Sequence, residues 1–378
     1  MANYQTTNRD HQSPAEARGS ILSSNAEVEN GGNKNAQAGN YQRRKAGPSR
    51  GLNADLFATL QSPRIVWAID AFASDLTQQI GVAYDVQTLF PQASIYPVYV
   101  LSEDVVAERA VSSFLQPALK PMAQKKLQRT LSLYRELDLK TPRILLESTA
   151  SRSASALRLI RFAKKIGANL IAMGSRGHRS LSRFLIGSFS EAVLDRSPVP
   201  VLFHGPQVAL ASSSPRVLIY PTDFSPACAQ AYDEVLSLAA GFGAELHLFH
   251  NALSTLDPIV SSGVHIFGGG WVAVDAYMSQ PLLQDHSHDA KQWMENAKDR
   301  GVRATYISES YRGSTSDAIV HYVQRLQASS GYSANPGSIL VAMISQSGPV
   351  ASALLGSVTR DVIRSSSAPV IVVPRLVS

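Results

Sequence analysis

The chain has 378 residues, 44% of them hydrophobic and 17% charged, and a formal net charge of +6. This length and composition predict two globular domains, each able to bury a core. The single cysteine, Cys228, excludes an internal disulfide and a cysteine-rich metal site. Neither a signal-peptide pattern nor a run of about 20 apolar residues occurs. We therefore expect a cytoplasmic protein without a membrane anchor.

The positive charge is spread along the chain rather than gathered in one stretch. Pairs such as Lys125-Lys126 and Lys164-Lys165 fit solvated helix faces. Aromatic residues interleaved with basic ones, as single-strand binders use, are missing. Nucleic acid is therefore not an expected partner, and neither is a membrane.

Residues 1–60 differ in composition from the rest of the chain. They are rich in Asn, Gln, Ser, Gly and Ala and poor in large apolar residues, so burial cannot offset the entropy of ordering them. We predict a disordered N-terminal arm. Its basic patch, Arg43-Arg44-Lys45, either touches an anionic partner or belongs to an inert solvated tail.

From Pro63 the sequence pattern becomes α/β. Short apolar runs rich in β-branched residues alternate with stretches of helical spacing, among them 105–137 and 154–166. Such alternation predicts βαβ crossovers and a parallel, doubly wound sheet with helices on both faces. The five predicted strands are 65–69, 95–101, 143–146, 170–173 and 199–203.

After a Ser/Pro-rich linker at 211–215 the same pattern starts again. Asp70 matches Asp223 after the first strand, and Gly187-Ser188 matches Gly356-Ser357 before the last helix, which indicates an internal repeat. The fold class is therefore two tandem, five-stranded, Rossmann-like domains: domain 1 at 63–205 and domain 2 at 215–376. The predicted strands of domain 2 are 217–222, 245–250, 303–308, 339–344 and 369–373. Domain 2 also carries a Gly-rich insertion at about 255–285, either a lid or a packing arm.

A glycine-rich motif follows the fourth strand of domain 1. It reads Met173-Gly174-Ser175-Arg176-Gly177, then nine residues, then Gly187-Ser188. Ligands of open α/β sheets bind at the carboxyl ends of the strands. Gly174 and Gly177 would let the backbone approach an anion, and Gly187 with Ser188 opens a helix whose first amide groups favour negative charge.

The residues around this motif also suit a polyphosphate. The hydroxyls of Ser188 and Ser190 add two donors, and the intervening segment carries Arg176, Arg179 and Arg183 with no acid. The motif is neither a Walker loop nor a dinucleotide fingerprint. From the residues alone, a glycine-rich turn before an ordinary helix N-terminus explains the pattern equally well.

Gly174, Gly177, Gly187 and Ser188 form Gly-x2-Gly-x9-Gly-Ser, which resembles the ATP-binding signature of the universal stress protein family. The resemblance covers about 63–205 and 215–375. It implies that Asp70 holds the ribose or the adenine edge and that the glycine loop with Ser188 and Ser190 holds the phosphates of ATP, often with a divalent ion such as Mg²⁺. It also implies that Val98 and Val100 line the adenine pocket. Ala71-Phe72 departs from the Gly-Ser that the family commonly has after this aspartate, which narrows the mouth of the pocket.

Domain 2 departs further from the signature. Ile344 stands where domain 1 has Gly174, and the spacing to Gly356 is shorter and lacks arginine. A β-branched residue blocks close backbone approach. We predict a degenerate second site, whose residues would be Asp223, Gly356, Ser357 and Thr359.

Other candidate sites are weaker. The run Asp285-His286-Ser287-His288-Asp289 looks like a metal cluster, but neighbouring residues of a helix diverge and Asp and Ser also serve as N-caps. The pattern around Cys228 indicates a small buried residue. A Ser/His/Asp hydrolase is not indicated, because no Gly-x-Ser-x-Gly elbow follows a predicted strand. We predict no catalytic residues and no protein-held metal.

The pattern favours an ATP-sensing regulatory protein of the stress response without dedicated turnover, because no base is placed to activate a nucleophile. Weak ATPase activity or autophosphorylation is compatible with it. The alternatives are an interaction scaffold that binds no nucleotide, and an enzyme that transfers phosphoryl or adenylyl groups. We also predict that the apolar, edge-like last strands, 200–203 and 369–373, pair within the chain. We also expect an unidentified protein partner, and a homodimer is compatible with the sequence.

Overall fold

The computed structural model describes residues 62–73, 77–103, 116–174, 187–205, 208, 214–252, 264–266, 270–272, 286–311, 313–329, 331–333, 335–345 and 356–374. The predicted arm at 1–60 lies outside the described residues. So do Arg176 and Gly177 of the glycine motif, and most of the Gly-rich insertion.

Domain 1 alternates strands and helices along the chain. Its apolar runs form buried strands, and the helix α3 begins at a capping serine, Ser151, and ends at Gly167 in the left-handed conformation, with φ 63°. The elements are β1 Arg64–Ala68, α1 Thr77–Leu89, β2 Ser94–Ser102, α2 Gln116–Leu131, β3 Arg143–Glu147, α3 Arg152–Ile166, β4 Leu170–Gly174, α4 Ser188–Arg196 and β5 Val201–His204.

Domain 2 repeats this order and adds a short hairpin. The hairpin is antiparallel, pairs only with itself, and lies within the Gly-rich insertion. The elements are β6 Val217–Pro221, α5 Pro226–Phe242, β7 Glu245–Asn251, β8 Val264–Ile266, β9 Gly270–Val272, α6 Ser287–Asp299, β10 Ala304–Glu309, α7 Thr315–Ala328, β11 Ile339–Ile344, α8 Ser357–Ser365 and β12 Val370–Val373.

The ten main strands form one continuous sheet in the order β10-β7-β6-β11-β12-β5-β4-β1-β2-β3. The main strands are parallel within each domain. In each domain the first strand lies in the middle, with the second and third strands on one side and the fourth and fifth on the other, as in a doubly wound fold. The domains join where β5 pairs antiparallel with β12, with Leu202 opposite Ile371. The predicted fold class is confirmed.

Two apolar layers cover the two faces of the sheet. One layer holds the inward residues of α1, α2, α5 and α6, and the other holds those of α3, α4, α7 and α8. Both faces of a parallel sheet are thereby buried, which is why its strands read as nearly continuous apolar runs.

The predicted helical stretch 105–137 extends too far at its C-terminal end. Helix α2 stops at Leu131, where backbone bonds three residues apart take over, from Leu133 N to Thr130 O at 3.2 Å and from Tyr134 N to Leu131 O at 3.1 Å. These turns leave Leu133 76% exposed and turn Leu137 into the core. Among the described helices, none combines the length and apolarity needed to cross a membrane.

Candidate functional site

Asp70 lies two residues beyond β1, at the point where the strand order of domain 1 reverses. Its Oδ1 accepts a hydrogen bond from Phe72 N at 2.8 Å, and its own N donates to Gln79 Oε1 at 2.6 Å. The carboxylate is partly exposed and is fixed by the turn that follows the strand. It therefore stands at the carboxyl edge of the sheet, where the sequence predicts a ligand contact.

Val98 and Val100 lie in the core rather than on an open surface. Val98 is 1% exposed and Val100 is 8% exposed, and both pack in the layer that contains α3 and α4. The carbonyl of Val98 also accepts from Ile69 N at 3.0 Å. The protein itself covers these two side chains, so their contact with adenine stays a prediction from the family resemblance.

The glycine motif reaches the described residues at its two ends. Gly174 is the last residue of β4 and lies opposite His204, the last residue of β5. At the other end, Gly187 is the N-cap of α4, with φ −64° and ψ 145°, and makes no side-chain capping bond. A Cβ built on Gly187 would meet nothing within 4 Å.

This helix start differs from those of three other helices. Ser151, Ser225 and Ser314 cap α3, α5 and α7 by accepting from a backbone amide of the first turn. Gly187 of α4 and Gly356 of α8 provide no such acceptor, and neither does His286 at α6. The first amides of α4 and α8 thus receive no capping bond from the side chain of the residue before the helix.

The two predicted hydroxyl donors of α4 differ in exposure. Ser188 is exposed at the helix start, whereas Ser190 is buried at 5% exposure. In domain 2, Ser357 is likewise exposed, and the buried Thr359 donates from Oγ1 to the carbonyl of Ile344 at 3.4 Å. Of each pair, the first hydroxyl faces outward and the second faces the sheet.

Asp223 occupies the position of Asp70 in domain 2. Its Oδ1 accepts from Ser225 N at 2.9 Å and from Cys228 Sγ at 3.2 Å. Partial burial raises the pKa of Asp223, but hydrogen bonds from the hydroxyl and the backbone N–H of Ser225 and from the thiol of Cys228 outweigh burial, so the pKa lies below its ordinary value. The next residue, Phe224, has φ 54°, the only positive φ of a non-glycine residue among those described.

Domain 2 carries aliphatic side chains where domain 1 has the start of its glycine loop. Ile344 ends β11 and lies opposite Val373 of β12, as Gly174 lies opposite His204. Ile344 is 9% exposed and Val373 is fully buried. The carboxyl edge of β11 is therefore filled by the protein itself.

A buried Asp–His pair escaped the sequence analysis. His204 Nδ1 lies 2.5 Å from Asp85 Oδ2 of α1, and the two residues are 9% and 0% exposed. The available signal was a histidine at the carboxyl end of the last strand, where the repeat has Val373. The partner on α1 is 119 positions away and could not be read from the sequence.

An aromatic cluster around Phe224 was also missed. Its ring stacks on His286 at 5.2 Å between centroids and contacts Trp293 at 5.0 Å and Tyr306 at 5.8 Å. The ring centroids of His250 and His286 are 5.0 Å apart. Burial lowers the pKa of His250. These rings come from four separate parts of the chain, namely the turn after β6, β7, α6 with its N-cap, and β10, so only the fold brings them together.

The weaker candidates form no site within the described part of the chain. His286 precedes α6, and in the ranges described no group of three or more His, Cys, Asp or Glu could hold a metal ion. Cys228 is a buried free thiol whose pKa is raised by burial. Its low thiolate content makes it a packing residue rather than a nucleophile.

Two doubly wound halves with glycine-capped helices at the strand ends define a Rossmann-like α/β protein. The model of the universal stress protein family matches residues 63–203 and again 215–374. This chain belongs to the universal stress protein family, with two copies of its domain in tandem.

Several solved structures are similar to this chain. A functionally unknown protein from Pseudomonas aeruginosa is 12% identical, with 84% of this chain and 94% of that chain covered and a TM-score of 0.50. A universal stress protein from Archaeoglobus fulgidus is 20% identical, with 84% and 97% covered and a TM-score of 0.49. The universal stress protein UspA from Lactobacillus plantarum is 20% identical, with 43% and 99% covered and a TM-score of 0.32. No curated protein matches the chain.

Proposed function

We propose that this chain is a cytoplasmic, regulatory stress-response protein that binds ATP in domain 1 without dedicated turnover. The observation that carries the proposal is the start of α4, where Gly187 supplies no capping acceptor and Ser188 presents an exposed hydroxyl. Backbone amides and a hydroxyl at a helix N-terminus suit a phosphate group. The last two residues of the Gly-x2-Gly-x9-Gly-Ser motif are this same Gly187 and Ser188.

The distribution of charge supports an anionic ligand in domain 1. Residues 63–203 contain eighteen lysines and arginines and eleven aspartates and glutamates, whereas residues 215–374 contain nine and thirteen. A cleft in the positive half attracts a polyphosphate, and the negative half repels it. This asymmetry and the aliphatic filling at Ile344 favour one nucleotide per chain.

A divalent ion would enter with the nucleotide. The described residues offer no cluster of metal ligands, so the phosphate oxygens of ATP would supply most of the coordination of Mg²⁺. The single buried thiol of Cys228 needs no oxidising compartment, which supports the cytoplasmic assignment.

The test is calorimetric titration of the full chain with ATP and magnesium, using Gly187→Val and the matched variant Gly356→Val. Both variants place the same side chain at a glycine N-cap, so their effects on helix capping are alike. We expect Gly187→Val to weaken ATP binding by about 10-fold or more, because the new side chain fills the space of the phosphate. The Gly356→Val variant should bind ATP as the parent does.

Each other result has a definite meaning. Two equal sites in the parent would show that domain 2 also binds nucleotide. Equal affinities in the parent and the Gly187→Val variant would remove α4 from the site. A folded parent that binds no adenine nucleotide would favour the interaction scaffold instead.

A further inference from the structure

Strand β3 is the edge of the sheet in domain 1. As far as the structure describes the chain, β3 pairs only with β2, along its whole length from Arg143 to Glu147. The outward-pointing N–H and C=O groups of an edge strand are available to another extended chain. Leu145 and Leu146 are only half-buried at this edge, and they pack toward opposite faces of the sheet. The edge therefore offers both backbone pairing and apolar contact.

The two helices beside β3 carry only positive charge. Helix α2 contacts β3 on one face of the sheet and α3 contacts it on the other. Gln124 Nε2 of α2 donates to Pro142 O, just before the strand, at 2.7 Å. Neither helix contains an aspartate or a glutamate. Together they hold nine cations, which are Lys120, Lys125, Lys126, Arg129, Arg152, Arg158, Arg161, Lys164 and Lys165.

These cations lack acidic partners in the protein. Arg152 apart, none of the nine forms an ion pair with an Asp or Glu that the structure describes. The acids nearest to β3 along the chain are already hydrogen-bonded, to Tyr84, Lys140 and Thr149 respectively: Glu136, Asp138 and Glu147. The positive charge on both sides of β3 is therefore not neutralised locally.

The opposite edge strand, β10, shows that the fold does not require this charge. Helices α6 and α7 cover the two faces of the sheet at that end. They hold three cations and four acids, which are Lys291, Lys298, Arg325, Asp289, Glu295, Asp299 and Asp317. Arg325 also pairs with Glu309 of β10. Like charges gathered on two helices repel one another, so the arrangement at β3 favours an acidic ligand.

The charge also decides which kind of chain suits the edge. The strand sequence Arg-Ile-Leu-Leu-Glu would pair antiparallel with itself, with Arg143 of one copy opposite Glu147 of the other. The two-fold axis of such a pair would set α2 beside α2 and α3 beside α3. The nine cations of one copy would then face those of the other, and like charges across an interface are unfavourable. A second copy is thus a poor occupant.

We propose that β3 is a docking edge for an extended, acidic peptide segment of another protein, which adds to the sheet as a further strand. Backbone hydrogen bonds along β3 supply the pairing. Side chains of the added strand alternate between the two faces, so its acidic residues meet α2 on one face and α3 on the other. Strands β1 and β2 separate β3 from β4, and the inference does not rest on nucleotide binding.

The experiment measures peptide binding to the full chain by fluorescence anisotropy. The probe is the labelled peptide Glu-Glu-Thr-Val-Thr-Val-Thr-Glu-Glu, which is acidic on both faces of a strand. A second peptide has proline in place of the central threonine, which keeps the charge but removes a backbone donor and disfavours strand pairing.

The protein variant is Lys125→Glu/Arg129→Glu on α2, and its matched control is Lys291→Glu/Lys298→Glu on α6. All four side chains are exposed, and each pair includes one cation of the last turn of its helix. Thermal unfolding monitors the fold of both variants. If the α2 variant fails to fold, Arg158→Glu/Arg161→Glu on α3 takes its place.

We expect the parent to bind the acidic peptide about 10-fold or more tightly than it binds the proline peptide. The α2 variant should lose about 10-fold or more in affinity for the acidic peptide, while the α6 variant stays within about 2-fold of the parent. Bound peptide should slow hydrogen exchange at the outward-pointing amides of β3 and leave those of β10 unchanged.

The opposing results are equally definite. Equal affinities for the acidic and proline peptides, equally tight binding of an oligothymidylate, or unchanged exchange at β3 would show charge attraction without strand pairing and would overturn the inference. A folded parent that does not bind the acidic peptide would overturn it as well. Sedimentation that shows a dimer of the parent, strengthened in the α2 variant, would assign the edge to a second copy instead. None of these results bears on ATP binding.

Discussion

Phe224 has an unfavourable backbone conformation that its side-chain contacts must stabilise. A positive φ costs a bulky residue roughly 1–3 kcal/mol. The ring is held between His286, Trp293 and Tyr306. The counterpart in domain 1 is the smaller Ala71, which has neither a positive φ nor an aromatic ring.

Substitution of Phe224 separates the backbone cost from the ring contacts. Phe224→Ala should lower the free energy of unfolding by about 2–4 kcal/mol, because the ring is lost and the strain remains. Phe224→Gly should be more stable than Phe224→Ala by about 1 kcal/mol, because glycine accepts a positive φ. Urea unfolding measures both values.

Phe72 in domain 1 is the control for this comparison. It is partly buried and packs against the core, edge-on to Tyr99 at 5.8 Å between ring centroids, but its φ is not positive. There the order should reverse, with Phe72→Gly less stable than Phe72→Ala. The same order at both positions would show that strain at Phe224 is not significant.

At the scale of single elements, α5 carries an acid within its buried surface. Glu234 is 7% exposed, and its Oε2 has no hydrogen-bond partner among the residues that the structure describes. Burial, with a smaller contribution from the charge of Asp233, raises the pKa of Glu234 to about 7 from an ordinary value of 4.5. Between those two values the unfolded chain is ionised while the folded chain holds the proton, so the stability lost to Glu234 grows as the pH rises.

Glu234→Gln should remove this pH-dependent loss. At about pH 8 we expect the variant to melt roughly 2–4 °C above the parent, and well below the ordinary pKa of 4.5 the difference should vanish because the parent is protonated there in both states. Glu295→Gln, an exposed acid of α6, is the control and should change the melting temperature at neither pH. A constant difference across the pH range would mean that Glu234 acts through packing and not through its charge.

The elements also show what the sequence could predict. The main strands were located within one or two residues, since buried parallel strands appear as continuous apolar runs, and the start of α4 was predicted at its observed position, since Gly187 precedes Ser188. The end of α2 and the hairpin β8–β9 were not predicted, because turns and tertiary packing decide them. Of the candidate site, the glycine motif could be predicted from local spacing. The Asp85–His204 pair could not, because it depends on how α1 lies against β5.

At the scale of the whole molecule, the two domains share one sheet. The seam at β5 and β12 is reinforced on one face by Phe90 and Phe242, whose ring centroids are 5.5 Å apart. On the other face, Arg360 Nε of α8 lies 3.5 Å from Glu191 Oε1 of α4. Pairing of the last strands removes two exposed edges within one chain, as the sequence predicts from their apolar character. Because β5 and β12 are antiparallel, the carboxyl ends of the strands of domain 1, and its candidate site, lie at the opposite edge of the sheet from those of domain 2.

Gly205 tests whether this seam makes the two domains unfold together. A Cβ at Gly205 would lie 3.3 Å from the carbonyl oxygens of both Ile363 and Ser366, backbone atoms of domain 2 that cannot easily move aside. Gly205→Val should therefore cost roughly 1–3 kcal/mol and force the domains apart, so that calorimetry resolves two unfolding transitions where the parent has one. Gly331→Val is the control, because a Cβ there meets nothing within 4 Å, and it should keep the single transition. A Gly205→Val variant that unfolds in one unshifted step would show that strand pairing alone couples the domains.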